Sequence, residues 1–273
     1  MPMTFDFTLR SARPRAAFNG RDVQGAVFAI LDAIHPELAE ALHALEGQRP
    51  WSIHAERLGD DGAHLRFSVL FDELAGLIAD RLLGHGPLPA VRMGPEPWVV
   101  ERISAGMGVD RIPTPSLGRR FLDAPLVHLR LRSPTCFRDG GADLPDVDRL
   151  APSPERILSS VQARARHLEL VLPGADVEAP WALVSEVDCT LRTETVQLHF
   201  GKRPKNFRGV VGTLDWRLLG EGAQRERLCA LLDLAHFAGV GSRTGMGLGA
   251  LDITVPVAPH RPRAPRRAPA TSD

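Results

Sequence analysis

Five glycines fall within eleven residues at Gly239-Val-Gly-Ser-Arg-Thr-Gly-Met-Gly-Leu-Gly249, near the end of a 273-residue chain. No helix or ordinary strand carries such a run, because each glycine loses conformational freedom on folding and brings no side chain to pack. Backbone that must approach something closely, or adopt φ > 0, does require it. Upstream, Leu228, Leu231, Leu232 and Ala235 recur at helical spacing, and downstream Ala250-Leu-Asp-Ile-Thr-Val255 reads as a strand. The order helix, glycine run, strand excludes a dinucleotide fingerprint, which runs strand, glycines, helix, and no lysine completes a Walker loop. Two readings stay open: a structural glycine loop, or a loop whose exposed N–H groups and Arg243 take a phosphate.

Ala235-His-Phe-Ala-Gly-Val-Gly241, then Arg243-Thr-Gly-x-Gly-x-Gly249 and a last strand, resembles the C-terminal signature of the RAMP (repeat-associated mysterious protein) superfamily. Within it, the sequence is most similar to the CRISPR-associated endoribonuclease, Cas family six, which cuts precursor CRISPR RNA within its repeats. The resemblance implies an α+β chain of two tandem ferredoxin-like (RRM-like) domains. Gly239, Gly241, Arg243, Gly245, Gly247 and Gly249 would then face RNA.

Composition sets outer bounds. A hydrophobic fraction of 44% and a charged fraction of 24% are those of a soluble globular protein. No apolar run is long enough to span a membrane, and Met-Pro-Met-Thr-Phe-Asp is no signal peptide, so a cytoplasmic protein is expected. Three distant cysteines, Cys136, Cys189 and Cys229, form neither a disulfide framework nor a zinc pattern. Net charge is zero, with 33 basic and 33 acidic residues, yet Arg192, Lys202, Arg203, Lys205, Arg208 and Arg217 face only Glu194 and Asp215 between residues 192 and 217.

Along the chain, Phe5, Phe7 and Leu9 alternate in a first strand, Asp22 is placed to cap a helix through Ile34, and Pro36 begins a helix to Leu45. Leu65 to Phe71 alternates as a strand, Leu74 to Leu82 forms a helical stripe, and Pro97 to Met107 reads as strand. That order fits a ferredoxin-like unit. The breaker-rich Pro113–Gly118 divides a domain at 1–115 from one at 116–256. In the second, Val127, Leu129 and Leu131 alternate with His128, Arg130 and Arg132, so one strand face is basic. Ser153 and Pro154 start a helix; Ala182–Leu191, Thr195–Phe200 and Val210–Leu218 read as strands, the last two joined by a basic turn, Gly201–Gly209. That hairpin, tipped with Lys202, Arg203, Lys205 and Arg208, resembles the family's RNA-contacting hairpin; a solvated loop is the alternative. Residues 257–273, rich in proline and arginine, read as a disordered tail.

RNA cleaves at its own 2′-hydroxyl when a base takes that proton, the phosphorane charge is stabilised and an acid protonates the 5′-oxygen. Histidine suits both transfers, its pKa of about 6.5 lying near working pH. Pro36-Glu-Leu-Ala-Glu-Ala-Leu-His43 resembles the family stretch that ends in the catalytic histidine, which implies that role for His43, with His54 and His35 in reserve. Arg49 falls where relatives carry a catalytic lysine, and Phe28 where some carry a catalytic tyrosine; the chain contains no tyrosine. Arginine does not donate a proton but holds phosphate oxygens well, which leaves Arg49 the stabilising role. The resemblance implies metal-independent cleavage without a cofactor, leaving a 5′-hydroxyl and a 2′,3′-cyclic phosphate. The partner is then the precursor CRISPR RNA repeat, bound by a monomer or homodimer, with effector-complex subunits as further candidates. The alternatives are a non-cleaving RAMP subunit of an effector complex, favoured by the missing tyrosine and lysine, and a small-molecule phosphate-binding enzyme.

Overall fold

A computed structural model describes residues 2–11, 20–45, 47–86, 88, 90–93, 96–106, 111–139, 147–200 and 203–256, with backbone only at 138–139, 147–149, 199–200 and 203–204. Lys202 and the 257–273 tail lie outside the described residues, as does the side chain of Arg203.

Strand β1 (Met3–Arg10) buries Phe5, Phe7 and Leu9, as their alternation requires. Helix α1 (Gly20–Ile34) packs Val23, Val27, Ile30 and Leu31 against the sheet. It starts before Asp22, which sits in the first turn, where its charge complements the helix dipole, rather than at the expected cap. Helix α2 (Pro36–Ala44) follows, capped by His35, then β2 (Trp51–Leu58), β3 (Gly62–Val69), α3 (Asp72–Gly84), β4 (Val91–Met93) and β5 (Glu96–Ala105). The expected strand Leu65–Phe71 stops at Val69 because Phe71 is the cap of α3. The sheet order β2-β3-β1-β5-β4 is the ferredoxin-like arrangement with one short strand added at an edge.

Pro113–Gly118 is not a loose linker. It holds a 3-10 turn at Thr114–Ser116, and Gly118, at φ 86°, donates its N–H to the buried Asp233 carboxylate at 2.5 Å. A Cβ at Gly118 would lie 2.4 Å from the Ala230 backbone nitrogen, so only glycine lets the chain approach that closely. Beyond it come β6 (Leu126–Thr135), a short hairpin of β7 (Phe137–Asp139) and β8 (Val147–Arg149), α4 (Pro154–His167), β9 (Val184–Phe200), β10 (Arg203–Leu218), α5 (Gly222–Ala238) and β11 (Leu251–Thr254). The order β11-β6-β10-β9 repeats the ferredoxin-like pattern, so the fold is α+β with two tandem units.

Two strands expected at Ala182–Leu191 and Thr195–Phe200 are one 17-residue strand, β9. The basic turn expected at Gly201–Gly209 is largely strand as well: Lys205 pairs with Leu198, Phe207 with Val196 and Arg208 with Thr195. Charged neighbours hid the alternation, but Phe207 is buried with Leu198 and Leu248. Lys205 and Arg208 therefore lie along a ladder and not at a flexible tip.

Helix α5 is buried on almost every side from Leu228 to Ala238. It packs on its own sheet and also against β2 and β3, where Ser52 Oγ donates to the Phe237 carbonyl at 2.5 Å. The helix is thus shared by both domains. Among the described residues no helix is long and apolar enough to cross a membrane.

Candidate active site

The glycine run folds back on itself. Val240 N–H donates to the Gly249 carbonyl at 2.8 Å, Ser242 N–H to Cys136 at 2.8 Å, Gly241 N–H to Ser160 Oγ at 3.2 Å and Gly249 N–H to Pro134 at 3.2 Å. A Cβ on Gly249 would lie 2.0 Å from the Val240 carbonyl oxygen, and one on Gly241 would lie 2.3 Å from that of Cys136. Much of the loop's N–H capacity therefore serves its own architecture, and Gly239 and Gly249 are buried structural glycines. Gly241, Ser242, Arg243 and Met246 remain partly exposed, while Thr244 and Gly245 of the same segment are buried. Within it Arg243 has φ 63°, a left-handed conformation that costs a non-glycine residue energy and recurs at functional sites.

That segment forms one wall of an inter-domain cleft of about 350 Å³; Gln24 of α1, Gly47–Arg49 and Arg164 of α4 complete it. Three guanidinium groups line it, and no carboxylate does among the described residues. Arg243 stacks on Phe207 at 3.9 Å from the ring centroid and donates to Ser242 Oγ at 3.1 Å. Arg49 lies over Trp51 at 5.1 Å from the centroid, and its Nη1 is buried with no hydrogen-bond partner among the described residues. Arg164 is 6% exposed. Nothing in the motif reading selected it or Trp51. The signal for Arg164 was its position, seven residues after Ile157 and three after Val161, which sets a charge on the core-facing stripe of α4.

His43, exposed near the end of α2, meets Phe28 at 5.3 Å between ring centroids, and Phe28 meets Trp51 edge-on at 6.0 Å. His43, Phe28, Trp51 and Arg49 thus form a continuous series of contacts that ends at the cleft. The helix α1 supplies Phe28, α2 supplies His43, and the start of β2 supplies Trp51.

The two reserve histidines are engaged otherwise. His35 Nδ1 accepts the Leu38 N–H at 3.4 Å as the cap of α2. His54 is buried at the domain junction, and burial, reinforced by Arg132, pushes its pKa down to about 4, so it is neutral at pH 7. Arg132 is not a free basic side chain on an open face: it pairs with Glu56 of β2 and, at 2.9 Å, with Asp252 of β11. Arg66 joins this network through Asp6 at 3.0 Å. Arg130, Lys205 and Arg208 are exposed. Among the described residues no three His, Cys, Asp or Glu side chains come together as a metal site, and Cys136, Cys189 and Cys229 are free.

Residues 129–251 match the model of the family described as CRISPR-associated endoribonuclease Cas6. No curated protein matches in sequence. Among solved structures, a Thermus thermophilus Cas6 (TTHB231) in a product complex is 21% identical with TM-score 0.69, over 93% of this chain and 100% of that one. A product complex of another Cas6 (TTHA0078) is 24% identical with TM-score 0.64, again over 93% and 100%. A structure described as a RAMP protein binding different RNA substrates is 18% identical with TM-score 0.57, over 92% and 99%. The chain therefore resembles the Cas6 endoribonucleases of the RAMP superfamily, in sequence across its second ferredoxin-like unit and in fold across nearly its whole length.

Proposed function

We propose that the protein is a cytoplasmic endoribonuclease that cuts precursor CRISPR RNA within its repeats, without a metal, leaving a 5′-hydroxyl and a 2′,3′-cyclic phosphate. The family match and the Cas6 folds support the general class. One observation carries the chemistry: an exposed histidine and a guanidinium nitrogen with no partner among the described residues are joined through Phe28 and Trp51 beside a cleft that arginines, and no acids among the described residues, line.

In this reading the 2′-oxygen loses its proton, attacks phosphorus, and the bond to the 5′-oxygen breaks as that oxygen takes a proton. His43 performs one of the two transfers. Arg49 stabilises charge on the phosphorane oxygens. Phe28, lacking a hydroxyl, steadies the imidazole by ring contact and takes no part in proton transfer. Lys205, Arg208, Arg130 and Arg243 grip the backbone, with Lys202 and Arg203 of the same hairpin assigned alongside them. Gly241 and Gly245 let the RNA approach the cleft wall. Arg132 drops out of this grip because two carboxylates already hold it.

A second reading, a non-cleaving RAMP subunit, is favoured by one feature: Arg49 and Phe28 stand at the positions where the resemblance implies proton-transferring side chains in relatives. Cleavage of end-labelled cognate repeat RNA in EDTA, by wild type and His43→Ala, separates the two. A single cut ending in a cyclic phosphate, slowed at least about 100-fold by the substitution, is expected. Binding without cleavage by wild type favours the subunit. Cutting unchanged by His43→Ala would move the active site.

A further inference from the structure

We infer that the cleft is an anion site for one backbone phosphodiester of the RNA, organised by Arg164 as a positioning residue. This rests on the reading above and adds a site and a residue to it. Three other enclosed arginines have acids: Arg120 has Asp233, Arg66 has Asp6, and Arg132 has Glu56 and Asp252. Arg164 has none. Its partners are neutral acceptors from three segments: Gln48 Oε1 at 3.3 Å, Thr244 Oγ1 at 2.5 Å, and the Ala238 carbonyl that ends α5.

Burying a cation without a counter-charge is costly, and burial pulls the Arg164 pKa down to about 10. Two consequences follow from the geometry. The fork of Arg164 fixes the separation between the Gly47–Arg49 wall and the glycine-loop wall, since one planar group bonds to both. Its charge adds to that of Arg49 in a cleft that no carboxylate lines among the described residues, which makes a phosphodiester a fitting counter-ion. The buried Nη1 of Arg49 supplies an unused donor for it.

The test is a scan of the repeat RNA in which each phosphodiester in turn is replaced by a neutral methylphosphonate. Wild type, Arg49→Gln and Arg164→Lys proteins are compared for affinity, single-turnover cutting and melting temperature. One linkage is expected whose neutralisation weakens wild-type binding about tenfold or more but Arg49→Gln binding only about twofold, as contacts in one interaction are non-additive. Arg164→Lys keeps the charge and loses the three-way fork. Affinity is expected within about threefold of wild type while the cutting rate falls about tenfold, since misplacement costs rate before binding. A flat scan, or a sensitive linkage that responds equally in wild type and Arg49→Gln, overturns the site while intact cutting of unmodified repeat leaves the nuclease reading standing. A cutting rate unchanged in Arg164→Lys overturns the positioning role. Failure of wild type to bind unmodified repeat overturns the nuclease reading and this site together.

Discussion

Two groups of arginines meet at the domain junction, and they differ in their acids. Around Arg66 and Arg132, the carboxylates of Asp6, Glu56 and Asp252 match the cations, with His64 bridging Asp6 at 2.9 Å. Around Arg49 and Arg164 no carboxylate lines the cleft among the described residues. The first group spends its charge within the protein, fixing one sheet face against the other domain. The second retains its charge for something that arrives. A chain with zero net charge can therefore present a strongly positive site, because its acids are distributed selectively.

The sharpest test of this contrast is an exchange of losses. Arg49→Gln is expected to slow repeat cleavage by about 100-fold with little change in melting temperature. A large fall in melting temperature instead would mean that the cleft arginines are structural too. His54, enclosed by the acid-matched group, has a pKa near 4 against its ordinary 6.5. The neutral form is the one the fold accommodates, so its contribution is complete above pH 6.5 and is lost as pH falls toward 4. A stability loss of about 2 kcal/mol between pH 7 and 5 is expected from this group. His54→Phe should flatten that part of the profile; an unchanged profile would remove His54 from the account. Arg132→Met should destabilise by about 1–2 kcal/mol in denaturant, by taking from Glu56 and Asp252 the guanidinium hydrogen bonds of Arg132. Repeat affinity should be unchanged, and a drop in it would return Arg132 to the RNA interface. The smallest effect lies in the salt dependence of binding. Arg243→Gln should lower the slope of log K against log salt by about 0.7, the value of one single-strand phosphate contact, and Arg132→Met should leave it alone.

Patterned segments were readable from the sequence alone. The alternation Phe5-x-Phe7-x-Leu9, the Ser153-Pro154 helix start and the glycine run each state their backbone geometry in a few neighbouring residues. Of β2 only the start, Trp51-Ser-Ile-His54, reads as strand, because beyond it the sequence turns to Glu56 and Arg57, which face the other domain or solvent and not a core. The continuity of β10 through Lys205 and Arg208 was hidden in the same way. The site was half legible. His43, Arg49 and Phe28 came from the resemblance to a family, and the fold brings Phe28 against His43 and sets Trp51 between Phe28 and Arg49. Arg164 and the pairing of Arg132 were not legible, since both depend on partners more than 70 residues away in the chain.

Helix α5 has a consequence for how the molecule comes apart. Its apolar side chains fill the core of the second unit while it packs against β2 and β3 of the first, its C-terminal carbonyls receive Ser52 from one unit and Arg164 from the other, and Asp233 within it fastens the linker at Gly118. Neither ferredoxin-like unit can lose its structure without stripping apolar surface from this helix. The two halves should therefore melt together in a single transition, and the grip on RNA should be as rigid as the core that α5 closes.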